Sequence, residues 1–262
     1  MHPKYDKILG VRVDGTPISS VLRKISASLA KREKFSPARR FYIVTPNPEI
    51  VLASQADPLL RKILNFSNVS LPDGVGLRLA NLILNHKDLT IVHGRKVFYE
   101  ICRLANKKGW KIFILGGEDW VNQKAVRVIK EKFPAVKIFG DSGPNLDNSA
   151  SSVIQRDTLV LKETIDKINK IGPDILFVAL GAPKQEKFIY KWLPKLNVRG
   201  AMVIGGALDY LAGKYSLPPK FMEDLEIEWL WRLITQPRRV VRIIKATLVF
   251  LFVVVLAKFK RS

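Results

Sequence analysis

The sequence is poor in the groups that hold metals or build disulfides. Its 262 residues include one cysteine, Cys102, and three histidines, His2, His86 and His93. A single thiol excludes an internal disulfide framework and points to a reducing compartment. The histidines share no ligand spacing with one another or with Cys102, and there is no Asp-x-Asp, so a side-chain metal site has little support. No Walker loop is present. Gly74-Val75-Gly76 lacks the third glycine of the dinucleotide fingerprint, with Leu79 in its place, so the usual ATP and NAD signatures are missing too. Met1-His2-Pro3-Lys4-Tyr5-Asp6 has none of the apolar character of a signal peptide, and the expected location of the body is cytoplasmic. Acids are scarce: 23 Asp and Glu stand against 44 Lys and Arg, a net charge of +21.

What is present describes a folded protein. A hydrophobic content of 47% and a charged content of 26% suit one substantial core. Strand-like runs alternate with helical ones. Ile8–Val13, 40–44, 69–71, Lys111-Ile112-Phe113-Ile114-Leu115, 136–139, 174–180 and 201–204 read as strands. Helices are expected over 18–30, 48–65 with a break at Asp57-Pro58, 75–84, 96–108, from about Asp119 as cap to Phe133, 159–171 and 184–192. The stretch 141–157 is rich in Ser, Asn, Asp and Gly and reads as a loop. Several strands are apolar throughout rather than alternating, which predicts an α/β fold: a Rossmann-like, mainly parallel sheet with helices on both faces. Composition shifts near Tyr215–Pro219, so the expected division is an α/β core over 1–213 and a helical, basic and apolar appendage over 214–262.

The charge implies an anionic partner: nucleic acid, an acidic membrane face or a phosphorylated small molecule. Trp229 to Ser262 holds eight basic residues and no acidic one. Within it, Ala246 to Ala257 is a nearly all-apolar run of twelve. That is short of the ~20 residues of a spanning helix. It suits a helix dipping into one leaflet with lysines at phosphate level; a core helix or a dimer interface is the plainer reading. Nucleic-acid recognition has no motif behind it. Arg232, Arg239 and Arg242 follow a helical rhythm, either a solvated stripe or a clamp for a diphosphate.

Polar residues stand at strand ends, where open α/β sheets place their chemistry. Thr45-Pro46-Asn47 follows one strand, and Leu71-Pro72-Asp73-Gly74 follows another. Asp73 has two readings, a turn-closing cap or a catalytic carboxylate. Gly116-Gly117, Gly181 and Gly205-Gly206 follow three further strands, where glycine lets backbone N–H groups approach a phosphate or sugar, or merely makes a tight turn. Gly181-Ala182-Pro183-Lys184-Gln185-Glu186 reads either as a helix start or as part of that crevice.

Taken in order, Thr45-Pro46-Asn47, Leu71-Pro72-Asp73-Gly74-Val75-Gly76, Leu115-Gly116-Gly117, Gly181-Ala182-Pro183-Lys184-Gln185-Glu186, Gly205-Gly206-Ala207-Leu208-Asp209 and Glu228-Trp229-Leu230-Trp231-Arg232-Leu233 resemble the WecG/TagA/CpsF glycosyltransferases, glycosyltransferase family 26. The resemblance runs from about Ile8 to Arg242. It implies an inverting, metal-independent transferase, without cofactor, moving N-acetylmannosamine or a related hexose or uronic acid from UDP. The implied acceptor is N-acetylglucosaminyl-diphospho-undecaprenol, in cell-surface polysaccharide or teichoic acid synthesis. It further implies Asp73 as catalytic base, and Thr45, Asn47, Gln185 and Glu186 in a polar pocket. Gly116, Gly117, Gly205, Gly206 and Asp209 would line the donor crevice, and Arg232, Arg239 and Arg242 would hold the diphosphate. Its partners would be the UDP-sugar, the polyprenyl-linked acceptor and an anionic membrane surface at the cytoplasmic face, with room for a homo-oligomer and no nucleic acid. Use of another UDP-hexose, or a non-catalytic scaffold role, is the alternative.

Two segments depart from the family pattern. Leu217-Pro218-Pro219 replaces Arg-Ala-Pro, leaving Lys214 or Lys220 to supply a cation. Gly94-Arg95-Lys96 carries a base where the family has an acid, which would suit an acidic sugar.

Overall fold

A computed structural model describes residues 5–30, 40–144, 154–224, 227–235 and 245–260. Arg239, Arg242 and the side chain of Arg232 lie outside the described residues.

The chain opens with a hairpin, β1 (Asp6–Ile8) antiparallel to β2 (Val11–Val13). The single strand expected over Ile8–Val13 is therefore folded back on itself. Leu9 and Gly10 take φ of 47° and 82°, the positive values a two-residue hairpin turn requires. There follow α1 (Ile18–Ala30), β3 (Phe41–Val44), α2 (Pro48–Ala56), α3 (Pro58–Phe66), β4 (Val69–Ser70), α4 (Val75–Asn85) and α5 (Gly94–Lys108). The middle of the chain forms β5 (Lys111–Gly116), α6 (Asp119–Lys132), β6 (Lys137–Asp141), α7 (Ile154–Ile171), β7 (Ile175–Ala179), α8 (Lys184–Trp192) and β8 (Gly200–Val203). Then come α9 (Ala207–Leu211), α10 (Lys220–Asp224), α11 (Glu228–Thr235) and, after a π-helical turn at Lys245–Val249, α12 (Phe250–Phe259).

Strands β4-β3-β8-β7-β5-β6 form one sheet in that order. The pairs β3–β4, β5–β6, β5–β7 and β7–β8 are parallel. The α/β reading holds for the reason the sequence offers: Ile112–Leu115 and Ile175–Val178 are wholly buried, as apolar strands covered on both faces must be. At the edges, β4 is two residues long and β6 starts on exposed Lys137, which limits unwanted strand pairing.

One local expectation holds and two shift. The break at Asp57-Pro58 is real: the Asp57 side chain accepts the Leu60 N–H at 2.9 Å and Pro58 opens α3. At α6 the N-cap position belongs to Glu118, not Asp119. Asp119 sits in the first turn, where a carboxylate suits the positive helix end. The polar stretch expected as a loop over 141–157 is shorter, because β6 runs through Asp141 and α7 already begins at Ile154.

Packing divides the chain into two units: Met1–Val21, Ile43–Val97 and Tyr215–Ser262 form the first, Leu22–Tyr42 and Phe98–Lys214 the second. In the first, buried Asp14 pins β4: its carboxylate accepts the Ser70 N–H at 2.8 Å and pairs with Arg12 at 2.8 Å. Helix α12 packs on α4 and α2. Phe250 and Val254, one turn apart, are fully buried, while Leu248, Phe252, Leu256 and Phe259 lie exposed. The apolar run is thus neither a plain core helix nor a free one: one stripe is packed, worth ~1.5–3 kcal/mol per side chain, and the other is open. Among the described residues no helix is long and apolar enough to cross a membrane. In the second unit the Phe98 ring meets Phe177 edge-on at 4.6 Å. A Cβ at Gly200 would lie 2.1 Å from the Phe41 ring, so only glycine fits there.

Candidate active site

In the first unit, β3 and β4 pair in the register Val44↔Ser70, and the ladder continues past both strand ends. The Leu71 N–H reaches the Val44 carbonyl at 2.9 Å, and the Asp73 N–H reaches Pro46 at 2.9 Å. The loops Thr45-Pro46-Asn47 and Leu71–Gly74, far apart in sequence, are thereby joined side by side. Thr45 presses on the start of α5, its Cγ2 only 3.0 Å from where a Gly94 Cβ would stand. Asn47 is the N-cap of α2, its Oδ1 accepting the Ile50 N–H at 3.0 Å. A ligand would therefore meet the Asn47 amide nitrogen.

The Asp73 side chain is 29% exposed and stands at one end of a line of charges. Asp73 Oδ1 lies 3.2 Å from His93 Nδ1, and His93 Nε2 lies 3.3 Å from Glu228 Oε1. Glu228 also takes a 2.6 Å hydrogen bond from Arg95, which donates equally closely to Glu223. Lys96 Nζ sits 3.3 Å from Glu223. Burial alone would lower the His93 pKa. The Asp73 hydrogen bond and the charges of Asp73 and Glu228 outweigh both burial and the repulsion of Arg95, and the pKa rises above its usual value. At Glu223 burial pushes the pKa up, but hydrogen bonds and charge from Arg95 and Lys96 bring it below the ordinary carboxylate range.

None of His93, Glu223 or Glu228 was singled out by sequence reasoning. The signal was there: the departure Gly94-Arg95-Lys96 places two cations where acids from 223–228 can answer them. Arg95 and Lys96, expected to meet an acidic sugar, meet carboxylates of the chain itself.

In the second unit, the polar strand ends are shaped by backbone. Gly116 has φ of 105°, and a Cβ there would lie 2.6 Å from the carbonyl carbon and oxygen of Ala179. Gly117 has φ of 82°, and its N–H reaches that same carbonyl oxygen at 3.2 Å. Gly181 and Gly205 take φ of 78° and 48°. Buried Gln185 accepts the Gly205 N–H at 3.2 Å through Oε1 and donates through Nε2 to Glu186 Oε1 at 2.9 Å. Glu186 is buried, and desolvation pushes its pKa up to about 7 although the Gln185 hydrogen bond acts the other way. Gly206 caps α9, and Asp209 lies in that helix's first turn. Lys214 is ion-paired with Glu118.

Thus Thr45, Asn47 and Asp73 gather in the first unit, and Gly116, Gly117, Gln185, Glu186, Gly205, Gly206 and Asp209 belong to the second. Among the described residues no group of three His, Cys, Asp or Glu side chains could hold a metal ion.

Comparison with known proteins agrees with the motif order. The model of the glycosyl transferase WecG/TagA/CpsF family matches residues 6–262. A protein of Bacillus subtilis (strain 168), named N-acetylglucosaminyldiphosphoundecaprenol N-acetyl-beta-D-mannosaminyltransferase, is 35% identical over 197 residues, covering 75% of this chain and 72% of its own length. Proteins of the same name from Bacillus spizizenii (strain ATCC 23059 / NRRL B-14472 / W23) and Staphylococcus aureus (strain MRSA252) are 29% and 26% identical, covering 76% and 97% of this chain and 72% and 93% of their own lengths. With the family model matching nearly its full length, this chain belongs to the WecG/TagA/CpsF family of glycosyl transferases.

Proposed function

We propose that this enzyme transfers N-acetylmannosamine, or a closely related hexose, from UDP to N-acetylglucosaminyl-diphospho-undecaprenol with inversion. The names of its relatives supply the substrate pair. The observation that carries the reading is the position of Asp73, partly exposed in the loop after β4 with its backbone held to Pro46 and its side chain held by His93. Inverting transfer needs one base, which takes the proton of the acceptor hydroxyl as that oxygen attacks the anomeric carbon. The bond to UDP breaks in the same step, and its electron pair leaves with the diphosphate. Thr45 and the Asn47 amide orient the sugars. The turns at Gly116-Gly117 and Gly205-Gly206, with Gln185, Glu186 and Asp209, receive the donor. Arg232, Arg239 and Arg242 neutralise the departing diphosphate, the task a metal performs in other transferases.

The acceptor is a lipid, and α12 supports a peripheral membrane site at the cytoplasmic face. Its open stripe is apolar, and neighbouring α4 adds exposed Leu79 and Leu82. Gly76, three residues from Asp73, lies against both Pro48 and Phe250, so the loop bearing the base is next to this helix. The test is release of UDP from a panel of UDP-sugars with a short-chain lipid-linked N-acetylglucosamine. UDP-N-acetylmannosamine should be turned over fastest; no release with any donor would sink the proposal.

A further inference from the structure

His93 is the one described residue that touches both Asp73 and the C-terminal segment through the two nitrogens of a single ring. Each nitrogen faces a carboxylate oxygen, which can only accept. Asp73 comes from the loop after β4, and Glu228 is the first residue of α11. The other charge facing the ring is Arg95 on α5, itself held by Glu228 and Glu223. A neutral imidazole carries one N–H and would satisfy one carboxylate while presenting a lone pair to the other. An imidazolium donates to Asp73 and attracts the Glu228 carboxylate, 3.3 Å away, by its charge. With only 15% of its side chain exposed, His93 has little water to screen a lone pair set against a carboxylate.

We propose that His93, as an imidazolium bridging Asp73 and Glu228, is the positioning residue of the catalytic base, so that the base is correctly oriented only when the C-terminal segment is docked. This rests on the reading of Asp73 as the base. The arrangement has a physical purpose in a lipid-acceptor enzyme. Helix α11 carries Arg232 one turn after Glu228, so the helix that contributes a diphosphate-binding cation also completes the support of the base. Glu223 on α10 and Lys96 on α5 extend the same line and hold Arg95 against the Glu228 carboxylate. Arg95 aims the Glu228 carboxylate, while its positive charge limits how tightly the imidazolium is held. Loss of the His93 proton at rising pH removes the charge that draws Glu228 to the ring and so uncouples the C-terminal segment from the Asp73–His93 pair.

The test uses the full-length protein and three variants: Asp73→Asn, His93→Gln and Glu228→Gln. His93→Gln should lower kcat by about 100-fold, the usual consequence of a misplaced reacting group, with the KM for the UDP-sugar changed less than about threefold. Its pH–rate profile should lose the wild-type basic limb. Glu228→Gln should move that limb to lower pH. Imidazole nitrogen NMR of the wild-type protein should show His93 protonated on both nitrogens at pH 6.5, with a titration midpoint that falls in Glu228→Gln. This spectroscopic readout stands even if His93→Gln fails to fold. If Asp73→Asn keeps its turnover, the assignment of the base itself fails. If Asp73→Asn is inactive but His93→Gln keeps the wild-type rate and basic limb, or the ring carries a single proton at pH 6.5, only the positioning role of His93 is overturned.

Discussion

The two units hold their candidate residues by opposite means. In the second, the backbone does the work: glycines at φ of 105°, 82°, 78° and 48° bend the chain away from β5, β7 and β8, and the side chains that follow are buried and short-range. Gln185 bonds to its own neighbour Glu186 and to Gly205. In the first unit, the side chains do it. Asp73, His93, Glu228, Arg95, Glu223 and Lys96 form a line of ion pairs drawn from three separate stretches of sequence. A backbone cradle is rigid and insensitive to pH, which suits a nucleotide of constant shape. A charge line responds to proton concentration and to whether the C-terminal segment is in place, which suits a reacting group.

That contrast can be attacked at either end. The largest effect belongs to the charged side: Asp73→Asn should reduce turnover by two to four orders of magnitude, about 3–5 kcal/mol in activation free energy. UDP release by the purified variant measures it, with UDP binding intact; a near-normal rate would remove Asp73 from the chemistry. On the backbone side, Gly116→Ala should cost about 3–4 kcal/mol of folding stability, combining overpacking against the Ala179 carbonyl with a positive φ. Urea unfolding would show it, and an unchanged midpoint would mean that the β5–β7 spacing can relax.

Glu186 sharpens the comparison, because it is a buried titratable group on the side shaped by backbone. Its pKa rises from 4.5 to about 7 in the folded protein. Folding therefore favours the protonated form. The contribution is fully present below the unfolded value near 4.5 and is lost as pH climbs through about 7. A gap of that size corresponds to about 3 kcal/mol. Glu186→Gln should thus exceed the wild type in stability by about that amount at pH 8 and match it at pH 4, in paired denaturant curves. Equal stability at both values would show that the carboxylate is relieved in solution. His93 runs the same way in function: its raised pKa keeps its contribution in full below about pH 6.5, and the contribution is lost as pH rises above that value. The smallest effect on folding lies on α12. Replacing exposed Phe252 and Phe259 by serine should change stability by less than about 0.5 kcal/mol each while abolishing co-sedimentation with anionic vesicles. Retained sedimentation would move the membrane contact elsewhere.

Much of the second unit was legible in advance because its signals are local. An apolar run ending in Gly-Gly states a buried strand and a tight exit without reference to anything distant. The same is true of Asp57-Pro58, where cap and proline sit together. Leu9-Gly10 was misread within one strand, since one glycine in an apolar stretch does not announce a hairpin until both residues adopt positive φ. His93 was passed over because its partners lie 20 positions before it and 135 after it, and no local period connects them.

The amino-acid order by itself determined the parallel α/β architecture, the polar strand ends and the family, because burial on both faces demands continuous apolar strands and the motifs retain their order. Only the tertiary structure decided which charges meet. Arg95 and Lys96 face Glu223 and Glu228, and Asp73 faces His93, because the segment from Tyr215 onward returns to the β3–β4 unit. It also decided that α12 buries one apolar stripe and leaves the other open, since a helix apolar on every side carries no mark of which face will find a partner.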